Sequence, residues 1–378
     1  MKCSNSLKMI LCIVTALFAA ACADIPSPNN SIGGSSGDVA TASYQYDGPG
    51  SAYTIDLDEV EETFGIGIAD SLSDPLHTIV YGTFERFDNG FIELTVTEAT
   101  GTMAPAVDDV AIAIEAPGFG VVLRPFGGAA EFVPSLVLPD SCTSGDFDAN
   151  WILTSCNDGG PSCDATSSAI GFFGSFNYDA SAESGSFSES YDIDTATDLG
   201  PRVVATTSCS YGILETSDTA IYLNDDGGAI VHESTDDSAD TRHAFALPKQ
   251  AIVQADLAGD YYGLAFDKSD GSGTPLYMGI AVGGASATIY ELDEGELEAA
   301  TQVAVYGTIA ITSVNQIGAT SSDGWITATF TEDGGPTRPL YCTAAPDLGD
   351  PLDTVVLCVG QSAAVDQEFL NFMFVSDF

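Results

Sequence analysis

The sequence predicts an all-β protein made of tandem antiparallel β-meander modules, barrel-like or sandwich-like, with a β-propeller as the alternative. Three observations predict it. Apolar residues recur with a period of two in many short runs, and no long helical stripe interrupts them. Gly, Asp and Asn cluster between those runs, where tight turns need them. A set of landmarks also repeats at a nearly constant spacing, the mark of a duplicated unit.

Two strands show the pattern best. After Gly90, Ile92, Leu94 and Val96 share one face while Glu93, Thr95 and Thr97 share the other. Asn89-Gly90 in front of it reads as a two-residue type I′ turn, which needs positive φ at both positions. Gly324 is expected to open a matching strand, with Ile326, Ala328 and Phe330 against Thr327, Thr329 and Thr331. Leu370, Phe372, Phe374 and Phe378 alternate near the C-terminus and read as a last core strand; the rival is the closing strand of an outer-membrane barrel.

The repeat sets the organisation. Tyr211-Gly212 matches Tyr306-Gly307, Gly228 matches Gly324, Thr241-Arg242 matches Thr337-Arg338, and Phe245 matches Tyr341. Tyr81-Gly82-Thr83 echoes Tyr306-Gly307-Thr308 more loosely. The expected division is a signal peptide over 1–21, a flexible tether over 22–43, and β-modules over 44–139, 140–254 and 255–378. The last of these reads as a repeat of the middle one. A spacing near 96 residues is about twice a usual propeller blade, so six to eight strands per module is the better fit.

Charge narrows the partners. Fifty-five Asp and Glu face nine Lys and Arg, a net −46, so phosphate backbones are repelled and nucleic acid is excluded as a partner. The 45% of hydrophobic residues, patterned along the chain, argues for packed cores and not an acidic disordered tail. Asp192-Ile193-Asp194 with Asp198, and Asp267 with Asp270-Gly271, both miss the D-x-D-x-D-G spacing that wraps calcium. No cofactor is expected.

The N-terminus carries the parts of an export signal: Lys2 and Lys8, then a short apolar run from Met9 to Ala21 that ends on small residues. Thirteen residues are too few to cross a ~30 Å hydrocarbon core as a helix. Ala19-Ala20-Ala21-Cys22 resembles the lipobox of bacterial lipoproteins, which implies a lipid on Cys22 and a membrane reached through that anchor. In a Gram-negative host Ala23, not being Asp, implies the outer membrane. The alternative is an ordinary A-x-A site at Ala21-Cys22-Ala23 with a released chain starting at Asp24. Ile25 to Ser43, rich in Pro, Asn, Ser and Gly, suits a tether.

Once Cys3, Cys12 and Cys22 are set aside, six cysteines remain, an even number that in an exported chain reads as three disulfides. No C-x-x-C pair supports zinc. Cys342 and Cys358 are expected to bridge neighbouring strands. Cys156–Cys163 would close the Asn157-Asp158-Gly159-Gly160 turn and leave Cys142–Cys209, although four cysteines allow three pairings.

Motifs for chemistry are sparse. Gly33-x-Ser35-x-Gly37 satisfies the nucleophile-elbow pattern but sits in the tether, where no strand-to-helix turn can strain the serine outward. His232 and His243 flank an acidic loop. A hairpin centred between Asp237 and Ser238 would make them cross-strand neighbours, with Glu233 facing Arg242, so they are the candidates for a metal; a solvated hairpin is the plainer reading. Arg242 and Arg338, with Arg124 as a possible third, read as a fork for an anion or as cross-strand ion pairs, the latter preferred. Trp151 and Trp325 are expected in cores. The expected function is a non-enzymatic, lipid-anchored acidic envelope protein with an unidentified ligand or protein partner, or a structural role. The alternatives are a carboxylate-based glycan-acting enzyme, betrayed by a concave acidic cleft, and an integral outer-membrane barrel.

Overall fold

The computed structural model describes residues 41–48, 51–70, 74–102, 104–124, 126, 133–138, 142, 145–158, 172–193, 196–204, 209–210, 212–215, 219–234, 240–267, 275–318, 320–348, 353–361 and 369–376. These are almost entirely antiparallel strands in three sheets.

The first sheet holds β1 (Thr41–Gly48), β2 (Ser51–Asp58), β3 (Thr63–Ala69), β4 (Thr78–Arg86), β5 (Phe91–Gly101), β6 (Val110–Ala116), β7 (Gly120–Arg124) and β8 (Val133–Leu136). Each pairs with the next, and Gln45 opposite Leu136 closes the barrel. β1 begins at Thr41, so residues 41–43, expected in the tether, are strand.

The middle sheet holds β9 (Phe147–Asp158), β10 (Phe173–Asp179), β11 (Ser184–Tyr191), β12 (Arg202–Val204), β13 (Cys209–Ser210), β14 (Ile213–Glu215), β15 (Thr219–Leu223), β16 (Ala229–Ser234) and β17 (Asp240–Pro248). Its order is β12-β11-β10-β9-β17-β16-β15-β14-β13. The two edge strands are consecutive in the chain. Five Cα steps from Val204 to Cys209 reach about 18 Å at most, so the sheet must curl into a half-barrel open along one seam.

The last sheet is a second closed meander of β18 (Gly259–Asp267), β19 (Pro275–Gly283), β20 (Ser286–Leu292), β21 (Gln302–Ile317), β22 (Thr320–Glu332), β23 (Thr337–Leu348), β24 (Asp353–Gln361) and β25 (Phe369–Ser376). β25 pairs with β18 from Asp267–Leu370 to Tyr261–Ser376. Leu370, Phe372 and Phe374 therefore point into the barrel with Ile326, Ala328 and Phe330, while Thr327, Thr329 and Thr331 are only half-buried. An apolar interior is the reverse of a lipid-facing barrel, whose apolar band lies outside.

Two sequence readings need correction. Asn89-Gly90 is not a type I′ pair: residues 87–90 form the loop, Gly90 N donates to Phe87 O, and of the pair Gly90 alone has positive φ. Gly324 does not open its strand but lies inside β22, at φ 79°. The Tyr-Gly-Thr echo has a physical cause. Gly82 and Gly307 sit on the fourth strand of each barrel, facing inward beside a ladder irregularity. A Cβ on Gly82 would stand 2.4 Å from the Phe64 ring, and one on Gly307 2.5 Å from the Phe330 ring.

One hydrophobic cluster is shared by the three sheets, beside separate clusters in the second barrel and the half-barrel. Phe91, on the outer face of β5, meets Tyr262 and Tyr277 of the second barrel, with ring centroids 6.4 and 6.1 Å away. Phe173 of the half-barrel stacks on Tyr341 at 4.3 Å and touches Trp325. β6 is buried from Ala111 to Ala116 because its outer face, Ile112 and Ile114, packs toward β18 and β25. Trp151 and Trp325 are both fully buried.

Candidate ligand site at the mouth of the first barrel

Inward positions of β4 run Val80, Gly82, Phe84 and then Arg86; those of β6 run Ala111, Ala113 and then Glu115. At the end of each stripe a charge replaces an apolar side chain, and the two charges meet. Arg86 Nη2 donates to Glu115, and Nη1 and Nη2 grip the Glu59 carboxylate at 2.8 and 2.7 Å. The Tyr44 hydroxyl, inward on β1, donates to Glu115 and accepts from Gly118 N at 3.4 Å.

Glu59 is held at the rim by its turn: Asp58 Oδ1 accepts from Val60 N and Glu61 N, both at 3.0 Å, and Glu62 takes a left-handed φ of 53°. On the outer face of β4 and β5 Glu85 stands directly opposite Glu93, and Thr83 opposite Thr95. Like charges set face to face across a ladder are unfavourable, so the fold itself does not call for that pair. Glu59, Glu61 and Glu62 of the turn and Thr83, Glu85, Glu93 and Thr95 of that outer face line a cavity of about 640 Å³ with Phe84 and Arg86, while Tyr44 and Glu115 lie inside the barrel and do not line it. A second hollow of about 320 Å³ shares Glu85 and Glu93 and continues to Glu294, Glu296 and Glu298 of the second barrel.

Burial sets the electrostatics. The Glu115 side chain is 1% exposed, and desolvation raises its pKa against the lowering pull of Arg86 and the Tyr44 hydrogen bond. Tyr44 is pushed well up by burial and then by the Glu115 charge. Burial alone would lower Arg86, but Glu115 and Glu59 outweigh it and the guanidinium stays charged. Inside the barrel one guanidinium thus serves two carboxylates, while the other glutamates of the cavity stand outside it.

The two barrels meet beside this mouth. Asn89 Nδ2 donates to Leu297 O at 2.6 Å. Arg124 Nη1 donates to Tyr277 OH at 2.7 Å and to Glu294 at 3.1 Å, so its ion pair spans two barrels and is not cross-strand. The second barrel has an apolar void of only about 40 Å³ on its axis, beneath Leu257. Ligand pockets run to roughly 300–1,000 Å³, so this one is a packing defect.

The residues singled out from sequence lie elsewhere. Cys22, the Gly33-Ser35-Gly37 motif and Cys163 fall outside the described residues. Cys142–Cys209 and Cys342–Cys358 are disulfides, the latter between register partners of β23 and β24; Cys156 is on β9. His232 and His243 are register partners, as are Glu233 and Arg242. His243 is fully buried with its ring 6.2 Å from Tyr46, so the solvated-hairpin reading fails for it. Among the described residues no three His, Cys, Asp or Glu side chains are grouped to hold a metal. Tyr44, Glu59, Arg86 and Glu115 were missed. Their signal was a charge ending an otherwise apolar inward stripe.

No family model matches the chain, and no curated protein matches it. Among solved structures it is similar to isotype 1 transferrin binding protein B of serogroup B Neisseria meningitidis, at 8% identity and a TM-score of 0.27, covering 87% of this chain and 65% of that one. A point mutant of transferrin binding protein B from Haemophilus parasuis Hp5 gives 10% identity, a TM-score of 0.25, and 86% and 66% coverage. The chain thus spans under two thirds of these proteins. Scores of this size establish no common arrangement of the whole.

Proposed function

We propose that this chain is an exported binding protein of the cell envelope, held by lipid on Cys22, that takes a cationic segment of a protein partner in the glutamate-lined groove beside the mouth of the first barrel. One observation carries the reading: a concave site of about 640 Å³ ringed by five glutamates, whose one arginine is already engaged by Glu59 and Glu115. A cation entering there meets unbalanced negative charge. An anion would find three of the five Arg86 N–H donors already given to Glu59 and Glu115, and the surrounding glutamates would repel it.

The cleft is also what a glycan-cleaving enzyme would need, so its carboxylates decide between the readings. Such an enzyme needs a raised-pKa acid that reaches the substrate. Glu115 has the raised pKa but is buried, and Arg86 binds it to Glu59. Binding is the better reading. The anchor rests on the lipobox resemblance and on the tether; mass spectrometry showing an unmodified start at Asp24 would remove it.

The binding test is titration with a lysine-rich peptide at low and high salt. Glu85→Gln/Glu93→Gln should weaken binding by roughly 2- to 30-fold, from two exposed charge pairs of about 0.2–1 kcal/mol each. Asp225→Asn/Asp226→Asn removes the same charge from an exposed turn of the half-barrel and should leave affinity within about twofold. Equal weakening by both variants would reduce the site to net-charge attraction and overturn it.

A further inference from the structure

The second barrel leaves one strand edge open. Residues 302–305, the start of β21, are paired by β20 on one side and by no strand on the other among the described residues. The cause is the short β22–β23 hairpin. Its turn closes at 332–335, with Gly335 N donating to Glu332 O and Gly334 at φ 72°, and its last bond to β21 runs from Asp333 N to Tyr306 O. β20 reaches past that point, since Leu292 still faces Gln302.

Charged side chains or proline normally blunt such an edge. Residues 302–305 carry neither. Gln302, Val303, Ala304 and Val305 are all exposed, Val303 at 60% and Val305 at 44%, and a bulge at Val303 adds twist without covering them. Folding does not require that composition. β5 of the first barrel overruns β6 in the same way, its last links joining Val96 to Asp108 and Asp109, and there the overhang is Thr97, Glu98, Ala99 and Thr100. Carboxylates bound the open edge of β21. Asp293 and Glu296 meet Thr301 through their backbones just before it, Glu291 stands opposite Ala304, and Glu332 and Asp333 lie just beyond. Arg124 is already paired with Glu294. A second copy of this chain, at a net −46, would set those carboxylates against their own kind. A strand with basic ends meets the opposite sign at both.

We propose that residues 302–305 accept, by strand addition, an extended segment of another protein in which about four alternately apolar residues lie between lysines or arginines. Backbone groups left open on β21 pair with the incoming strand, Val303 and Val305 bury against its apolar side chains, and the flanking carboxylates hold its basic ends. At ~3.4 Å per residue, basic residues five positions apart lie about 17 Å from each other and straddle the overhang. The surface is separate from the groove beside the first barrel and does not depend on it.

The test uses the full chain and a short acetylated, amidated peptide in which two threonines and two valines alternate between terminal lysines. Hydrogen exchange across 302–305 should slow as the peptide is added, and that local signal reads the affinity. Two further probes carry N-methyl groups, one on the valines and one on the threonines. Alternate residues of a strand point their N–H groups to opposite edges, so one probe should bind about tenfold or more weakly than the parent peptide and the other within about threefold. Glu85→Gln/Glu93→Gln should leave the signal at 302–305 unchanged, which keeps failure here distinct from failure of the groove. Equal affinity of the two N-methylated probes would leave no backbone pairing and overturn the proposal, as would exchange at 302–305 that ignores the peptide. Protection that grows with protein concentration alone would make the occupant a second copy and overturn it equally.

Discussion

Arg86→Met is the most informative perturbation of the first barrel. It keeps most of the aliphatic bulk against Phe84 and removes the charge that Glu115 and Glu59 share. The two carboxylates fare differently. Glu59 is 32% exposed at the side chain and regains water, so its loss is small; Glu115 is 1% exposed and cannot. Removing one partner of a buried pair costs about 3–5 kcal/mol, mostly the stranded charge. Burial already raises the Glu115 pKa, and without Arg86 it rises further. The cost should therefore shrink on acidification and largely vanish near pH 4, where the unfolded chain is protonated too. Arg86→Met/Glu115→Met should recover all but about 1 kcal/mol, the price of leaving the Tyr44 hydroxyl without its acceptor. Urea unfolding at pH 7.5 and pH 4, read by far-UV circular dichroism with hydrogen exchange across β4–β6, measures each quantity. A single-variant cost below 1 kcal/mol at pH 7.5, or one that does not shrink with acid, would refute the stranded-charge reasoning.

Removing the Cys342–Cys358 bridge by double Ser substitution should cost about 3 kcal/mol for its 16-residue separation, and Cys142–Cys209, separated by 67, somewhat more. Thermal melts with and without reductant measure both. Gly82→Ala should destabilise by about 1–3 kcal/mol, since its Cβ would press on the Thr95 carbonyl at 2.0 Å and on the Phe64 ring. Gly284→Ala, at φ 74° with open space around it, should cost less, about 1 kcal/mol of backbone strain. Hearing no difference between the two in denaturant midpoint would sink the close-approach argument.

The all-β build was legible because period-two alternation reports each strand's own faces, as Ile92, Leu94 and Val96 do on β5. The half-barrel was not, because whether a meander closes depends on pairing between its first and last strands, which no local pattern encodes. Tyr261–Ser376 pairing closes the last sheet, and β12 and β13 leave the middle one open. The turn at Gly90 was misread for a related reason: Asn89 is spent on Leu297 of the other barrel, a tertiary demand that overrides hairpin chemistry. The histidine register was readable, because loop length fixes it, but His243's burial under Tyr46 came from a different sheet.

The two closed barrels also bear on why the mouth cluster exists. They share an eight-strand meander and an inward glycine on the fourth strand, Gly82 in one and Gly307 in the other. Four residues beyond that glycine the first barrel has Arg86 and the second has Ile311, which lines the apolar void. An apolar side chain there is thus compatible with this closed topology. Buried ion pairs are commonly no more stabilising than well-packed apolar replacements, so folding does not explain Arg86, Glu115 and Tyr44. Their position offers a reason: Arg86 links this buried group to the glutamate-lined cavity outside, and the second barrel, filled with Ile326, Ala328 and Phe330, has no counterpart to that cluster among its described residues. The asymmetry between two barrels of one architecture is what supports placing the proposed site at the first.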